Sequence, residues 1–293
     1  MINNPIDFCH ITPTKYLEKF SHWSNSHLVL AHLVEENEEY ARFYREEVKG
    51  EFKIMDNSAF EMFKRGQPMY DSSKIHDMAE KCEASCVVMT DHPGQHWKLT
   101  VREAEKFLAN KRGNYSTFFV PQSELGDMDG LMKSLAWAIN NKQIDLIGIS
   151  ILACPIACGI TERPHGNATH YRNESFRLQR YLSRLMVFEE MERRGLLDSM
   201  ATYRRFHCLG MTEGPNEIKL LRKYHKHISS WDSSAAVWCG LNAIKFDSSP
   251  TGLVNGKFEK EVDFDFEKVD TATEQICIEN MNYINNLCVT MGK

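Results

Sequence analysis

Three aspartates in this sequence each close an apolar run: Ile54-Met55-Asp56, Val87-Val88-Met89-Thr90-Asp91 and Ser230-Trp231-Asp232. A fourth run, Phe119-Val120-Pro121-Gln122, stops at a glutamine. Two more carry glycine near their ends, Ile147-Gly148-Ile149 and His207-Cys208-Leu209-Gly210-Met211. In parallel α/β architectures the groups that do chemistry collect where strands give way to loops. A carboxylate placed there meets a ligand without being buried unpaired. Two such carboxylates can divide the labour of glycosyl transfer, one attacking an anomeric carbon and the other moving protons. Any one of these aspartates also fits a helix cap or a turn. Three on one rim, with a glutamine and two glycine-bearing ends, read together as a site.

The elements that must position them follow from hydrophobic pattern. Eight apolar runs are expected as strands: 27–34, 52–56, 85–91, 117–122, 144–150, 205–210, 228–232 and 237–245. Segments of helical period lie between most of them, near 38–47, 73–81, 101–109, 129–140, 173–194 and 214–224, with a last helix at 270–287. In the helix from Asn173, Phe176, Leu178, Tyr181, Leu182, Leu185, Met186 and Met191 form a broad apolar stripe expected in the core, and Gly195 suits its C-terminal end. Strands alternating with helices over this length imply a (β/α)8 TIM barrel, one domain over 1–293 with a long loop after the strand at 144–150. A doubly wound open sheet is the competing α/β architecture. It lacks a Gly-x-Gly-x-x-Gly after the first strand to make it a dinucleotide fold.

Composition narrows the class of function. The 293 residues are 42% hydrophobic and 26% charged, which fits a globular chain and excludes collagen, coiled coil and wholesale disorder. Forty acidic against 35 basic residues leave a formal charge of −5, unlike a general polyanion binder, although a local basic surface remains compatible. No run approaches the roughly 18 apolar residues of a membrane span. Met1-Ile2-Asn3-Asn4-Pro5 lacks the pattern of a secretory signal. The nine cysteines are odd in number and scattered through predicted elements, so a cytoplasmic, reducing setting is expected.

The ordered set Asp56-Asn57-Ser58-Ala59-Phe60, Asp91, Val120-Pro121-Gln122, Ile147-Gly148-Ile149, His207-Cys208-Leu209-Gly210-Met211 and Ser230-Trp231-Asp232-Ser233 resembles the tRNA-guanine transglycosylase superfamily over about 180 residues. Within it, the chain looks most like the phage and genomic-island enzymes that insert 7-deazaguanines into DNA. The resemblance implies a TIM barrel that exchanges a guanine base without cutting the strand. It departs from the tRNA enzymes in three places. No Cys-x-Cys-x-x-Cys zinc site follows Cys239, Asp232 is followed by Ser233-Ser234-Ala235-Ala236 rather than a Leu-Pro-Thr-Arg-like segment, and the first motif has Ala59 and Glu61 where a glycine and a glutamine are usual. DNA is therefore the expected substrate and tRNA the alternative.

By resemblance, Asp232 is the nucleophile and Asp56 the general acid/base. Asp91 would accept from the guanine N1–H and 2-amino group, Gln122 and the backbone around Gly148 would serve O6, and Phe60 or Met211 would flank the purine face. Ser58 and Gly210 complete the base-binding set. The target base must be single-stranded or flipped out, and a helper that opens a duplex is compatible with that requirement. Phosphates need positive charge near the rim. Arg163, His165, His170, Arg172 and Arg177 offer it in the segment after the 144–150 strand, and Arg204, Arg205, Arg222, Lys223 and Lys226 form a second basic cluster. Either cluster also reads as solvated surface. The incoming base would be preQ0-like, and no cofactor is expected. Cys154, Cys158, His165 and His170 form a candidate zinc set, but the six-residue gap in its middle is short for a finger. Cys82 and Cys86 read as buried small apolar residues. The alternatives to exchange are a non-catalytic barrel that binds a base or nucleic acid, and a carboxylate-dependent hydrolase.

Overall fold

The computed structural model describes residues 5–24, 26–160, 174–198, 200–203, 205–211, 213–254, 264–265 and 269–290. Eight strands form one sheet: β1 (Asp7–His10), β2 (Ser26–Leu30), β3 (Phe52–Asp56), β4 (Cys86–Val88), β5 (Ser116–Phe119), β6 (Leu146–Ser150), β7 (Phe206–Leu209) and β8 (Ile228–Ser233). Their order is β1-β8-β7-β6-β5-β4-β3-β2, and all of these pairings are parallel. β1 also packs beside β2, bringing the sheet edges together into a nearly closed (β/α)8 barrel.

Helices return the chain from each strand to the next. They are α1 (Leu17–Phe20), α2 (Ala31–Glu36), α3 (Glu38–Glu46), α4 (Ala59–Arg65), α5 (Ser72–Lys81), α6 (Trp97–Ala109), α7 (Met128–Asn140), α8 (Ala153–Ala157), α9 (Glu174–Arg193), α10 (Glu217–Leu220), α11 (Ala235–Leu241) and α12 (Thr271–Thr290). Local chemistry sets several of their starts. The Asn37 side chain accepts from the N–H groups of Glu39 and Tyr40, Asp71 from Lys74, and Asp127 from Gly130, each satisfying donors that the first helical turn leaves open.

Three strand expectations change. The first strand is Asp7–His10, the run 27–34 leaves the sheet after Leu30 and enters helix α2, and the apolar run 237–245 belongs to helix α11 and the turn after it. The reason lies in packing. A Cβ on Gly240 would come within 2.6 Å of Cys277 Cα, so α11 and α12 meet backbone to backbone there. Buried Asn280 on α12 then donates to the carbonyls of Ala236 and Ile244 and accepts from Phe246 N–H at 2.8 Å. On α9, Tyr181, Val187, Phe188 and Met191 are buried, but Leu178 and Met186 are exposed, so the core stripe is narrower than expected. After β6 the chain enters α8, and the remainder of the expected long loop, 161–173, lies outside the described residues.

All nine cysteines are free thiols, and all but Cys158 are buried. Cys82 and Cys86 are among the buried ones, as expected of small apolar residues. Among the described residues, no helix is long and apolar enough to cross a membrane.

Candidate active site

The C-terminal ends of the strands surround one cavity, and the three aspartates stand in its wall together with Gln122, Phe60, Gly210 and Met211. Asp56 is the last residue of β3, Asp232 the last but one of β8, and Asp91 lies just past β4. The structure thus brings these seven expected residues to one cavity.

Asp232 is held on one oxygen. Its Oδ1 accepts from His207 Nε2 at 2.9 Å and from the Gly210 N–H at 3.1 Å. His207, on β7, is fully buried, and its Nδ1 lies 2.7 Å from Ser230 Oγ. A carboxylate can only accept, so the imidazole proton sits on Nε2 and Ser230 donates to Nδ1. Gly210 is itself fixed. Its φ of +68° and the 2.8 Å approach a Cβ would make to Ile151 Cδ1 both call for glycine. Its carbonyl accepts from Trp231 Nε1 at 2.7 Å and from Arg184 Nη2 at 3.2 Å. Arg184, fully buried on α9, also donates to Leu209 O and pairs with buried Glu217 at 2.8 Å. Its guanidinium lies 4.9 Å from the Trp231 ring centroid.

Asp56 is in a different environment. Its Oδ2 accepts from the Ser58 N–H at 2.8 Å. Burial drives its carboxyl well above the usual range, and the neighbouring Glu61, Asp232 and Asp91 charges add to the effect. The proton-bearing form is therefore favoured, as a general acid requires. Glu61, in the first turn of α4, lines the same cavity. Burial pushes it up to about 7, and its Oε2 has no partner among the described residues.

Asp91 takes Asn57 Nδ2 on Oδ1 at 2.6 Å and Gln122 Nε2 on Oδ2. Burial raises it to about 6 against these two hydrogen bonds, so it is largely ionised at neutral pH. Gln122 Oε1 is buried without a partner among the described residues. The wall around this group includes Val120, Leu152, Leu209 and Met211, which suits a flat heteroaromatic ligand.

Two of the expected base-binding residues stand outside the cavity wall. Ser58 adopts φ 55°, and its hydroxyl is committed to His32, accepting from the backbone N–H at 3.1 Å and meeting Nδ1 at 2.9 Å. Gly148 lies below the cavity, where a Cβ would approach Leu209, Phe118 and Val120 to within 2.9 Å, so its glycine serves barrel packing. On β6 and just beyond, the described wall is Ser150, Ile151 and Leu152.

The nucleic-acid expectations divide. Arg163, His165, His170, Arg172 and Arg204 lie outside the described residues. Arg205 precedes β7, at the opposite end of the barrel, and donates to the carbonyls of Ile139 and Ala201 at 3.1 and 3.0 Å. Arg222, Lys223 and Lys226 precede β8, also at that end, and Lys223 pairs with Glu192. Arg177 pairs with Glu213 at 3.3 Å. The cations that line the cavity among the described residues are Lys64 and Arg65 on α4, which no motif singled out. His165 and His170 of the candidate zinc set are likewise outside. The described residues contain no group of three metal-ligating side chains.

Sequence reasoning passed over His207, Ser230, Asn57 and Arg184 as site residues. His207 and Ser230 lie on neighbouring strands in direct register, a relation that becomes visible only when β7 is paired with β8. No family model matches the chain, and no curated protein matches it.

Proposed function

We propose that this protein is a base-exchange transglycosylase that replaces guanine in DNA with a 7-deazaguanine through a covalent aspartyl–sugar intermediate. The observation that carries the reading is the pairing of two unlike carboxylates in one cavity. Asp232 accepts two N–H donors on one oxygen, and Asp56 is driven toward its protonated form.

In the first step an Asp232 oxygen forms a bond to C1′ of the target nucleotide. The C1′–N9 bond breaks, and the departing purine takes the proton from Asp56. In the second step the incoming base gives its N9 proton to the Asp56 carboxylate and attacks C1′. The C1′–O bond breaks, and its electron pair returns to Asp232. No redox group or nucleotide enters this balance. Asp91 as an anion suits the N1–H and 2-amino donors of a guanine edge, and Gln122 orients it. Phe60 and Met211 supply apolar surface for an extruded purine.

DNA is preferred to tRNA because of the departures after Asp232 and around Ala59 and Glu61. The reading places the protein in the cytoplasm, that of the host if a bacteriophage encodes it, with a preQ0-like base as second substrate. The test is incorporation of labelled guanine or preQ0 into DNA and into tRNA. Label in DNA with the parent protein and none with Asp232→Ala is the expected result. Label in tRNA alone would move the substrate, and release of purine without any incoming base would make the protein a hydrolase.

A further inference from the structure

Among the described residues the two side-chain hydrogen bonds on Asp232 both fall on Oδ1, and this asymmetry has a chemical use. We infer that His207 is a positioning residue that holds Oδ1 as the non-attacking oxygen, presents Oδ2 to C1′, and speeds the breakdown of the covalent intermediate. The inference rests on the base-exchange reading and deepens it.

A carboxylate free to rotate offers either oxygen at a range of angles. Here the imidazole Nε2–H and the Gly210 N–H fix one oxygen from two directions, and neither donor is free to swing away. His207 is braced by Ser230 at Nδ1 and by the Phe118 ring edge, 5.3 Å between centroids. Gly210 is braced through its carbonyl by Trp231 and Arg184. Restricting a nucleophile to one approach converts part of the entropic barrier into folding cost.

The second consequence concerns charge. In the glycosyl-enzyme, Oδ2 is the ester oxygen and Oδ1 the neutral carbonyl oxygen. When the incoming N9 attacks C1′ and the C1′–Oδ2 bond breaks, negative charge returns to the carboxylate. Two fixed donors at Oδ1 stabilise that charge as it develops, in the manner of an oxyanion hole. They favour the carboxylate over the ester, so their largest effect is on the step that regenerates Asp232.

Two amide variants separate this role from mere filling of space. The Gln amide nitrogen reaches the position of imidazole Nε2, whereas the Asn amide reaches only that of Nδ1. His207→Asn thus keeps a polar contact toward Ser230 and loses the donor to Asp232. The assay is a single-turnover exchange on an end-labelled single-stranded oligodeoxynucleotide, with guanine as the incoming base and SDS-resistant protein–DNA adduct followed alongside product. Removal of one such donor is expected to slow exchange by about 10²-fold. With His207→Asn the adduct should form and persist, whereas with His207→Gln it should clear nearly as in the parent. Parent-like clearance with His207→Asn overturns the inference, as does equal persistence in both variants. If the parent protein yields neither adduct nor exchange while Asp91→Asn and the parent bind guanine alike, the base-exchange reading falls and this inference with it.

Discussion

The two ends of the barrel treat buried charge in opposite ways. At the N-terminal end Lys53 and Arg205 are taken up by backbone carbonyls. Lys53 Nζ donates to Tyr44 O at 2.8 Å, and half-buried Arg205 donates to the four carbonyls of Ala138, Ile139, Ile144 and Ala201. At the C-terminal end, Asp56, Glu61, Asp91 and Asp232 crowd one cavity whose described wall holds only Lys64 and Arg65 as cations, and Glu213 on the same wall is the one paired with arginines, Arg177 and Arg180. Glu61 Oε2 and Gln122 Oε1 are left there with no partner among the described residues. One end neutralises its charges and gains a rigid base. The other concentrates them where a ligand can enter, at a cost in stability that a purely structural end would not carry.

The sharpest way to break this comparison is to remove charge from the functional end. Asp232→Asn preserves shape and should lower exchange by at least about 10³-fold while leaving the far-ultraviolet dichroism unchanged. Next comes the buried pair beneath the site. Arg184→Met strands Glu217 and should cost about 3–5 kcal/mol in urea unfolding, with much of the loss recovered in the Arg184→Met/Glu217→Met double variant. At the other end, Arg205→Ala leaves carbonyls unsatisfied and should cost about 1–3 kcal/mol, yet leave KM for DNA unchanged. A rise in that KM would return Arg205 to the nucleic-acid surface.

The pH profile sharpens the contrast further. Asp91 sits at about 6, so acidification through that value protonates it and removes an acceptor for the base. KM for guanine should then rise by about tenfold per pH unit below it. Asp56 has the opposite requirement. It must carry a proton to release the purine, so kcat should fall as pH climbs past its raised value. The smallest effect is expected from Glu61→Gln. Deleting that negative neighbour lowers Asp56, and the alkaline limb should move to lower pH by less than about one unit.

Much of the barrel could be read before any coordinates, because seven of its strands are apolar runs flanked by polar turns. β1 escaped that pattern. Asp7-Phe8-Cys9-His10 is four residues with a charged start, and only its register with Ser230–Ser233 makes it a strand. The run 237–245 misled for the converse reason: periodicity does not distinguish a short buried strand from a short buried helix. At the site, residue types at strand ends located Asp56, Asp91, Gln122 and Asp232. Side-chain direction was not legible. Ser58 turns toward His32, and Gly148 makes room inside the barrel, each for a packing reason set by distant residues. His207 stayed hidden because its importance comes from the neighbouring strand.

The burial of the cysteines gives the chain a built-in stopwatch. Eight thiols are enclosed by the fold, and burial raises those of Cys9, Cys86, Cys154 and Cys288 far from the reactive range. Only the thiolate attacks an alkylating reagent. In the native protein, labelling therefore begins, slowly, at half-buried Cys158, whose own thiol burial pushes up to about 11. Every further adduct records an opening of the molecule, so a mass spectrum taken over time counts those openings thiol by thiol, with no residue changed.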